Sequence, residues 1–125
     1  MQLDLLSEKP IFQQIAGQIE DAVFTGGLAE GSRAPSTNEL AALLGINPHT
    51  VLKGMNLLVE EGILEKKRGM GMYVAQGAVE AIRRKRQAQF YRQYVRPLLE
   101  EAAKLNMSRA DVAALLEKGE EHGSD

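Results

Sequence analysis

Cysteine and tryptophan are absent from the 125-residue chain, and histidine occurs twice, as His49 and His122. Without a thiol there is no disulfide scaffold, thiolate zinc site, iron–sulfur cluster or cysteine nucleophile. With so few histidines, one of them in the polar stretch 120–125, neither a metal nor a cofactor is expected. No apolar run reaches the roughly 18 residues that a membrane helix needs, and residues 1–9 lack the basic-then-apolar layout of a signal peptide. A cytoplasmic protein with no membrane partner is the expectation. Enzymatic constellations are missing as well: there is no Ser/His/Asp set and no phosphate loop. Gly69 and Gly71 form a G-x-G without the third glycine, leading into a strand instead of a helix.

What is present is ordinary folded composition, 44% hydrophobic and 26% charged, enough for one domain with a short appendage. The formal net charge is −2, and it is unevenly spread. Residues 1–75 are acidic on balance, whereas Arg83 to Arg96 contains basic side chains and no acidic one.

The apolar spacing Ile11, Phe12, Ile15, Ile19, Val23 predicts a helix from about Glu8 to Thr25, with Ser7 as N-cap and Gly26-Gly27 as its end. A connector to Pro35 follows, with a short strand around Arg33. Ser36-Thr37-Asn38-Glu39 reads as a capping box opening a second helix that ends at Gly45. Asn47-Pro48 opens a third, running to about Glu61. Ile63-Leu64 and Met72-Tyr73-Val74 flank a basic, glycine-bearing tip from Glu65 to Gly71, which predicts a hairpin. A long helix from about Ala78 to Leu105 and a shorter one from Ser108 to Lys118 complete the chain, with a disordered tail over 119–125. The fold class is therefore mainly α with a small β-hairpin. The expected organisation is a winged helix-turn-helix domain over 9–77 and a two-helix dimerisation segment over 78–118.

Only Gly45-Ile46-Asn47 separates the second and third helices, and such a glycine-containing link is the helix-turn-helix signature. At about 100° per residue, Val51, Gly54, Met55 and Leu58 fall on one side of the third helix and His49, Lys53 and Asn56 on the other, with Thr50 on the flank. A cation, an amide and an imidazole can all bond base edges or phosphates. Arg68-Gly69 in the wing reads either as a groove or phosphate probe or as part of a solvated edge.

These residues resemble the GntR family of bacterial transcription regulators. The resemblance is carried by Gly31-Ser32-Arg33-Ala34-Pro35-Ser36-Thr37-Asn38-Glu39-Leu40-Ala41, Leu44 to Val51, Glu61-Gly62-Ile63-Leu64 and Arg68 to Val74. The Asn47-Pro48-His49-Thr50-Val51 piece and the short helical C-terminal segment are similar to the YtrA subfamily. The resemblance implies a homodimeric repressor that binds double-stranded DNA at an inverted-repeat operator, often controlling transporter genes. It also implies DNA contacts from Ser36, Asn47, His49, Thr50, Lys53, Arg68 and Gly69. Asn38 stands where the family usually has a DNA-contacting arginine, Leu52 where many members have one, and Ala34 replaces the usual leucine before Pro-Ser.

Ala88, Tyr91, Val95, Leu98, Ala102 and Leu105 follow a 3-4 spacing, a seam for pairing two copies, interrupted by Pro97, which must kink the helix or start a new one. Tyr91, Val95, Leu98, Ala102 and Leu105 are the expected dimer interface. The Arg83 to Arg96 run reads either as further contacts to the DNA backbone or, in preference, as a solvated face beside that seam. Two helices are too few to enclose a cavity of about 300 Å³ within one subunit, so a small-molecule effector, if there is one, would bind between subunits or domains. The alternative reading is a winged-helix protein-interaction module whose basic wing holds an acidic partner, independent of the Asn47 to Lys53 surface.

Overall fold

The computed structural model describes residues 2–119 and divides into two compact units, one ending at Lys85 and the other beginning at Arg86. The expected disordered tail lies outside the described residues from position 120 onward, and His122 with it.

In the first unit, α1 (Ile11–Phe24), α2 (Thr37–Leu44) and α3 (Pro48–Glu60) precede a hairpin of β1 (Leu64–Lys67) and β2 (Gly71–Val74), after which α4 (Ala78–Phe90) begins. The amphipathic stripes meet in one core. Ile15, Ile19 and Val23 come from α1, Leu40 from α2, Val51, Met55 and Leu58 from α3, Leu64 and Val74 from the hairpin, and Ala78 and Ile82 from α4. Each large side chain removed from water in this way contributes about 1.5–3 kcal/mol.

The first helix starts later than its apolar pattern suggests. Pro10, not Ser7, is its N-cap, with ψ 146° and no side-chain cap. The reason is local: the residue before a proline is pushed out of the helical region, so Lys9 cannot be helical. Ser7 instead accepts a hydrogen bond from the Lys9 N–H at 3.1 Å. The leading segment is held by the side chain of Gln14, which accepts from the Asp4 N–H at 2.8 Å and donates to the carbonyls of Asp4 and Lys9, both at 2.9 Å.

The hairpin also differs. Glu65, Lys66 and Lys67 belong to β1, in register with Tyr73, Met72 and Gly71, so the tip shrinks to Arg68, Gly69 and Met70. A third antiparallel segment joins β2 from the connector. Gly31 N–H donates to the Val74 carbonyl, Val74 N–H to Ser32 and Ala34 N–H to Met72, at 2.8–2.9 Å. Arg33 pairs with Tyr73 at the centre of this bridge.

In the second unit the long helix is interrupted. A single π turn, Tyr91–Val95, separates α4 from α5 (Arg96–Lys104), and α6 (Arg109–Lys118) follows. Pro97 sits in the first turn of α5. Having no N–H, and with a ring that crowds the carbonyl four residues back, it opens the helix just ahead of itself. The Arg96 N–H then reaches five residues back, to the Tyr91 carbonyl. The 3-4 spacing from Ala88 to Leu105 therefore crosses a wider turn and does not form one continuous stripe. Ala102 is buried, as is Val112 of α6, whereas Tyr91, Leu98 and Leu105 are exposed and Val95 is half-buried. Ala102, expected in a seam between copies, is thus covered within its own chain. A full capping box opens α6: Asp111 N–H donates to the Ser108 hydroxyl at 3.1 Å, and Ser108 N–H to the Asp111 carboxylate at 2.8 Å. Those bonds hold the Asp111 carboxyl below the usual aspartate range.

Candidate nucleic-acid interface

Gly45 closes α2 with φ +67°, a left-handed conformation that glycine adopts without penalty. Two residues later the side chain of Asn47 caps α3, accepting from the His49 N–H at 2.8 Å, and Pro48 fills the first helical position, where a missing N–H costs nothing. The two helices are thus joined by the short, fixed link read from the sequence.

Helix α3 buries Val51, Gly54, Met55 and Leu58. His49 and Lys53 are exposed, and Thr50 and Asn56 half-buried. The helix lies close against α1, because Gly54 has no Cβ to hold the two apart. The Lys53 ammonium rests 4.2 Å from the centroid of the Phe12 ring, an attraction of about 0.5–1 kcal/mol at an exposed site. It leaves the charge available, since no carboxylate among the described residues pairs with it. Phe12, His49, Leu52, Lys53, Asn56, Leu57 and Glu60 border an open groove of about 420 Å³ beside α3. At its wall Asn56 Oδ1 is buried and has no hydrogen-bond partner among the described residues.

At the start of α2 the Ser36 hydroxyl accepts from the Glu39 N–H at 3.0 Å. The reciprocal bond from Glu39 to the Ser36 N–H is not formed, so only half of the expected box is present. A hydroxyl that accepts through one lone pair still has its O–H to donate, and a helix N-terminus favours an anion. Asn38 is exposed in the same turn. Arg68 and Gly69 are exposed at the wing tip, where Gly69 has φ +74° and the Met70 N–H closes the turn on the Lys67 carbonyl at 2.8 Å. The expected residues thus fall into three groups: Ser36 and Asn38 opening α2, Asn47, His49, Thr50 and Lys53 on the first two turns of α3, and Arg68 with Gly69 on the wing.

The basic run from Arg83 is not one solvated face. Arg83 and Arg84 bond the Glu80 carboxylate on their own helix, the second at 3.5 Å. Lys85 bridges Glu20 of α1, which is buried, and Glu61 just past α3, at 2.9 Å from the latter. Burial alone would lower the Lys85 pKa, but hydrogen bonds and charge from both carboxylates outweigh it and hold it above the usual lysine value. Glu30 is a second polar anchor that the sequence does not announce. Its carboxylate accepts from the N–H groups of Gly77 and Val79, at 2.8 and 3.0 Å, and so caps α4 from the connector. These bonds depress its pKa below the usual glutamate value. Arg33, three residues on, lies at the short strand expected around it and is a cation beside the wing.

Among the described residues there is no group of three or more His, Cys, Asp or Glu side chains able to hold a metal ion, and no helix is long and apolar enough to cross a membrane. A capped helix pair with a polar outer face on the second helix, followed by a basic hairpin, defines a winged helix-turn-helix DNA-binding domain. Residues 11–74 match the bacterial regulatory proteins of the gntR family, and the chain belongs to that family of DNA-binding transcriptional regulators, not to a family of enzymes. It is similar to the HTH-type transcriptional repressor YtrA of Bacillus subtilis (strain 168), 38% identical over 78 residues, which are 62% of this chain and 60% of that protein. The matched stretch therefore spans about three fifths of that relative's length. Among solved structures it is similar to YtrA from Sulfolobus acidocaldarius, a GntR-family transcription factor, over 100% of both chains with a TM-score of 0.57 and 31% identity. It is also similar to the AraR DNA-binding domain in complex with operator ORX1, 30% identical, over 60% of this chain and 93% of that one, with a TM-score of 0.54.

Proposed function

We propose that this chain is a transcriptional repressor that binds an inverted-repeat operator as a homodimer, one helix-turn-helix per half-site. The observation that carries the reading is the exposed set Asn47, His49 and Lys53 at the start of α3, in a domain similar to one solved on operator DNA. In this reading α3 lies in the major groove, with Lys53 and His49 at base edges and Thr50 at the flank. Ser36 and Asn38 meet the phosphate backbone, and the wing places Arg68 and Gly69 at the adjacent groove.

One such domain buries little DNA surface, and twofold pairing doubles both the contacts and the sequence length read. The second unit supports pairing because it leaves large apolar side chains in water. Leu98, Leu105, Leu115 and Leu116 are 45–70% exposed, around a groove of about 190 Å³ that they share with Ala102 and Val112. In this reading the DNA reader covers 9–77 and the pairing segment 78–118, with Ala78 and Ile82 of α4 packed into the core of the reader. The named repressor activity of the Bacillus relative supports repression, and the resemblance to the YtrA subfamily supports a transporter operon as target. Membership of a family of bacterial regulatory proteins supports a cytoplasmic place of work.

The test is selection of bound duplexes from a random pool. Recovery of a palindromic sequence is the expected result. Recovery of no enriched sequence, from protein that is folded by circular dichroism, would remove the reading.

A further inference from the structure

We propose that the outer face of the wing is a second site of contact with the DNA backbone, formed by Arg33 and Lys67 on either side of Tyr73. It rests on the reading of this domain as a duplex binder, and adds to it residues outside the helix-turn-helix and the wing tip.

The argument begins with the pleat. Side chains alternate across a sheet, and directly opposed residues share a face. Leu64, Val74 and Ala34 are buried, which fixes the inner face of the three-stranded wing. The outer face then carries Glu65 and Lys67 from β1, Gly71 and Tyr73 from β2, and Arg33 from the connector. Arg33 lies directly opposite Tyr73, between the Ala34-to-Met72 and Val74-to-Ser32 hydrogen bonds. Such a pair brings its side chains close.

Both cations are held in place, and neither is neutralised. The Lys67 ammonium stands 4.4 Å from the centroid of the Tyr73 ring. The Arg33 guanidinium runs along β2 onto Gly71, where a Cβ would sit 3.5 Å from its Nε and Nη2 atoms. That direction leads to the tip that bears Arg68 and Gly69. Among the described residues no carboxylate pairs with Arg33 or Lys67, although the same protein pairs Arg83, Arg84, Lys85 and Lys104 with acids. An acidic chain that leaves two ordered cations unpaired beside its wing has a suitable site for phosphate. A guanidinium matches two phosphate oxygens at once, and an ammonium acts as a point charge. Glu65, opposite Tyr73 on the same face, is an opposing charge, and it provides a test of the opposite sign.

Phosphate contacts are sequence-independent, and each neutralised phosphate adds about 0.9 to the slope of log affinity against log salt. The full chain is titrated with a random-sequence duplex over a salt series and compared with Arg33→Gln, Lys67→Gln, Arg33→Lys and Glu65→Gln. The expected result is a loss of about one slope unit per subunit for each glutamine at 33 or 67, with several-fold weaker binding at low salt. Arg33→Lys should retain most of the slope, and Glu65→Gln should tighten binding. Wild-type slopes in both Arg33→Gln and Lys67→Gln would overturn the proposal while leaving the DNA-binding reading intact. Failure of the wild-type chain to bind any duplex would overturn that reading instead. Should Arg33→Gln lose its folded circular dichroism, Lys67→Gln, whose partner is only the face of an aromatic ring, decides the matter.

Discussion

The carbonyl oxygen of Phe12 stands where a side chain on residue 54 would begin: a Cβ on Gly54 would lie 2.6 Å from it and 3.5 Å from Ile15. The position of α3 against α1, and hence the presentation of His49 and Lys53, depends on this missing methyl. Gly54→Ala gains about 1 kcal/mol of helix propensity. The obstructing atom is backbone, however, and cannot rotate away, so overpacking of about 1–3 kcal/mol is expected to win. A lowered urea midpoint in Gly54→Ala is the expected outcome. A midpoint equal to or above that of the wild type would mean that the two helices separate without cost.

Removal of Lys85 leaves Glu20 buried without its lysine. Loss of one partner of a buried ion pair costs about 3–5 kcal/mol, and the partial exposure of Lys85 places Lys85→Ala at the lower end, about 3 kcal/mol. Because the folded state holds this lysine above its ordinary value of 10.5, its contribution is complete below that pH and is lost as pH rises through the higher folded value. The difference in stability between wild type and Lys85→Ala, measured by denaturant titration, should therefore shrink above pH 10.5. A constant difference would show that the ammonium charge is not what matters.

Glu30 has the opposite sign. Its folded pKa is depressed below 4.5, so its contribution is present above that value and disappears as pH falls through the folded one. Glu30→Gln should melt below the wild type at neutral pH, and the two should converge in acid. Hydrogen exchange at Gly77 and Val79, the two amides it receives, should quicken in the variant.

Lys53→Ala should weaken binding to a selected duplex by roughly 1–3 kcal/mol if this side chain reads a base. Equal losses on selected and random duplexes, measured by fluorescence anisotropy, would instead assign Lys53 to phosphate.

Leu98→Asp places a charge among the exposed leucines of the second unit. Sedimentation should then show monomers, with much weaker operator binding. An intact dimer in this variant would place the pairing surface elsewhere.

Much of this architecture is legible in the order of residues because it is local. The faces of α3 follow from a 3.6-residue period, and Asn47-Pro48 announces its start through groups one or two positions away. The contacts that escape are those between distant segments. Glu30 reaches amides 47 and 49 positions ahead, and Lys85 unites α1 with the end of α3, so neither leaves a pattern in any short window. The short strand around Arg33 is legible, but its pairing with Tyr73 of β2, which makes Arg33 a wing residue, is not. The π turn eludes a heptad count for another reason: the count assumes α-helical bonding throughout, and Pro97 breaks that assumption just upstream of itself.

The connector between α1 and α2 joins two structures at once. Glu30 grips the opening amides of α4, and the very next residue, Gly31, is bonded to Val74 in the wing. A single peptide link thus joins the residue that anchors the first turn of α4 to the strand that carries Arg33, so one short stretch of chain fixes both.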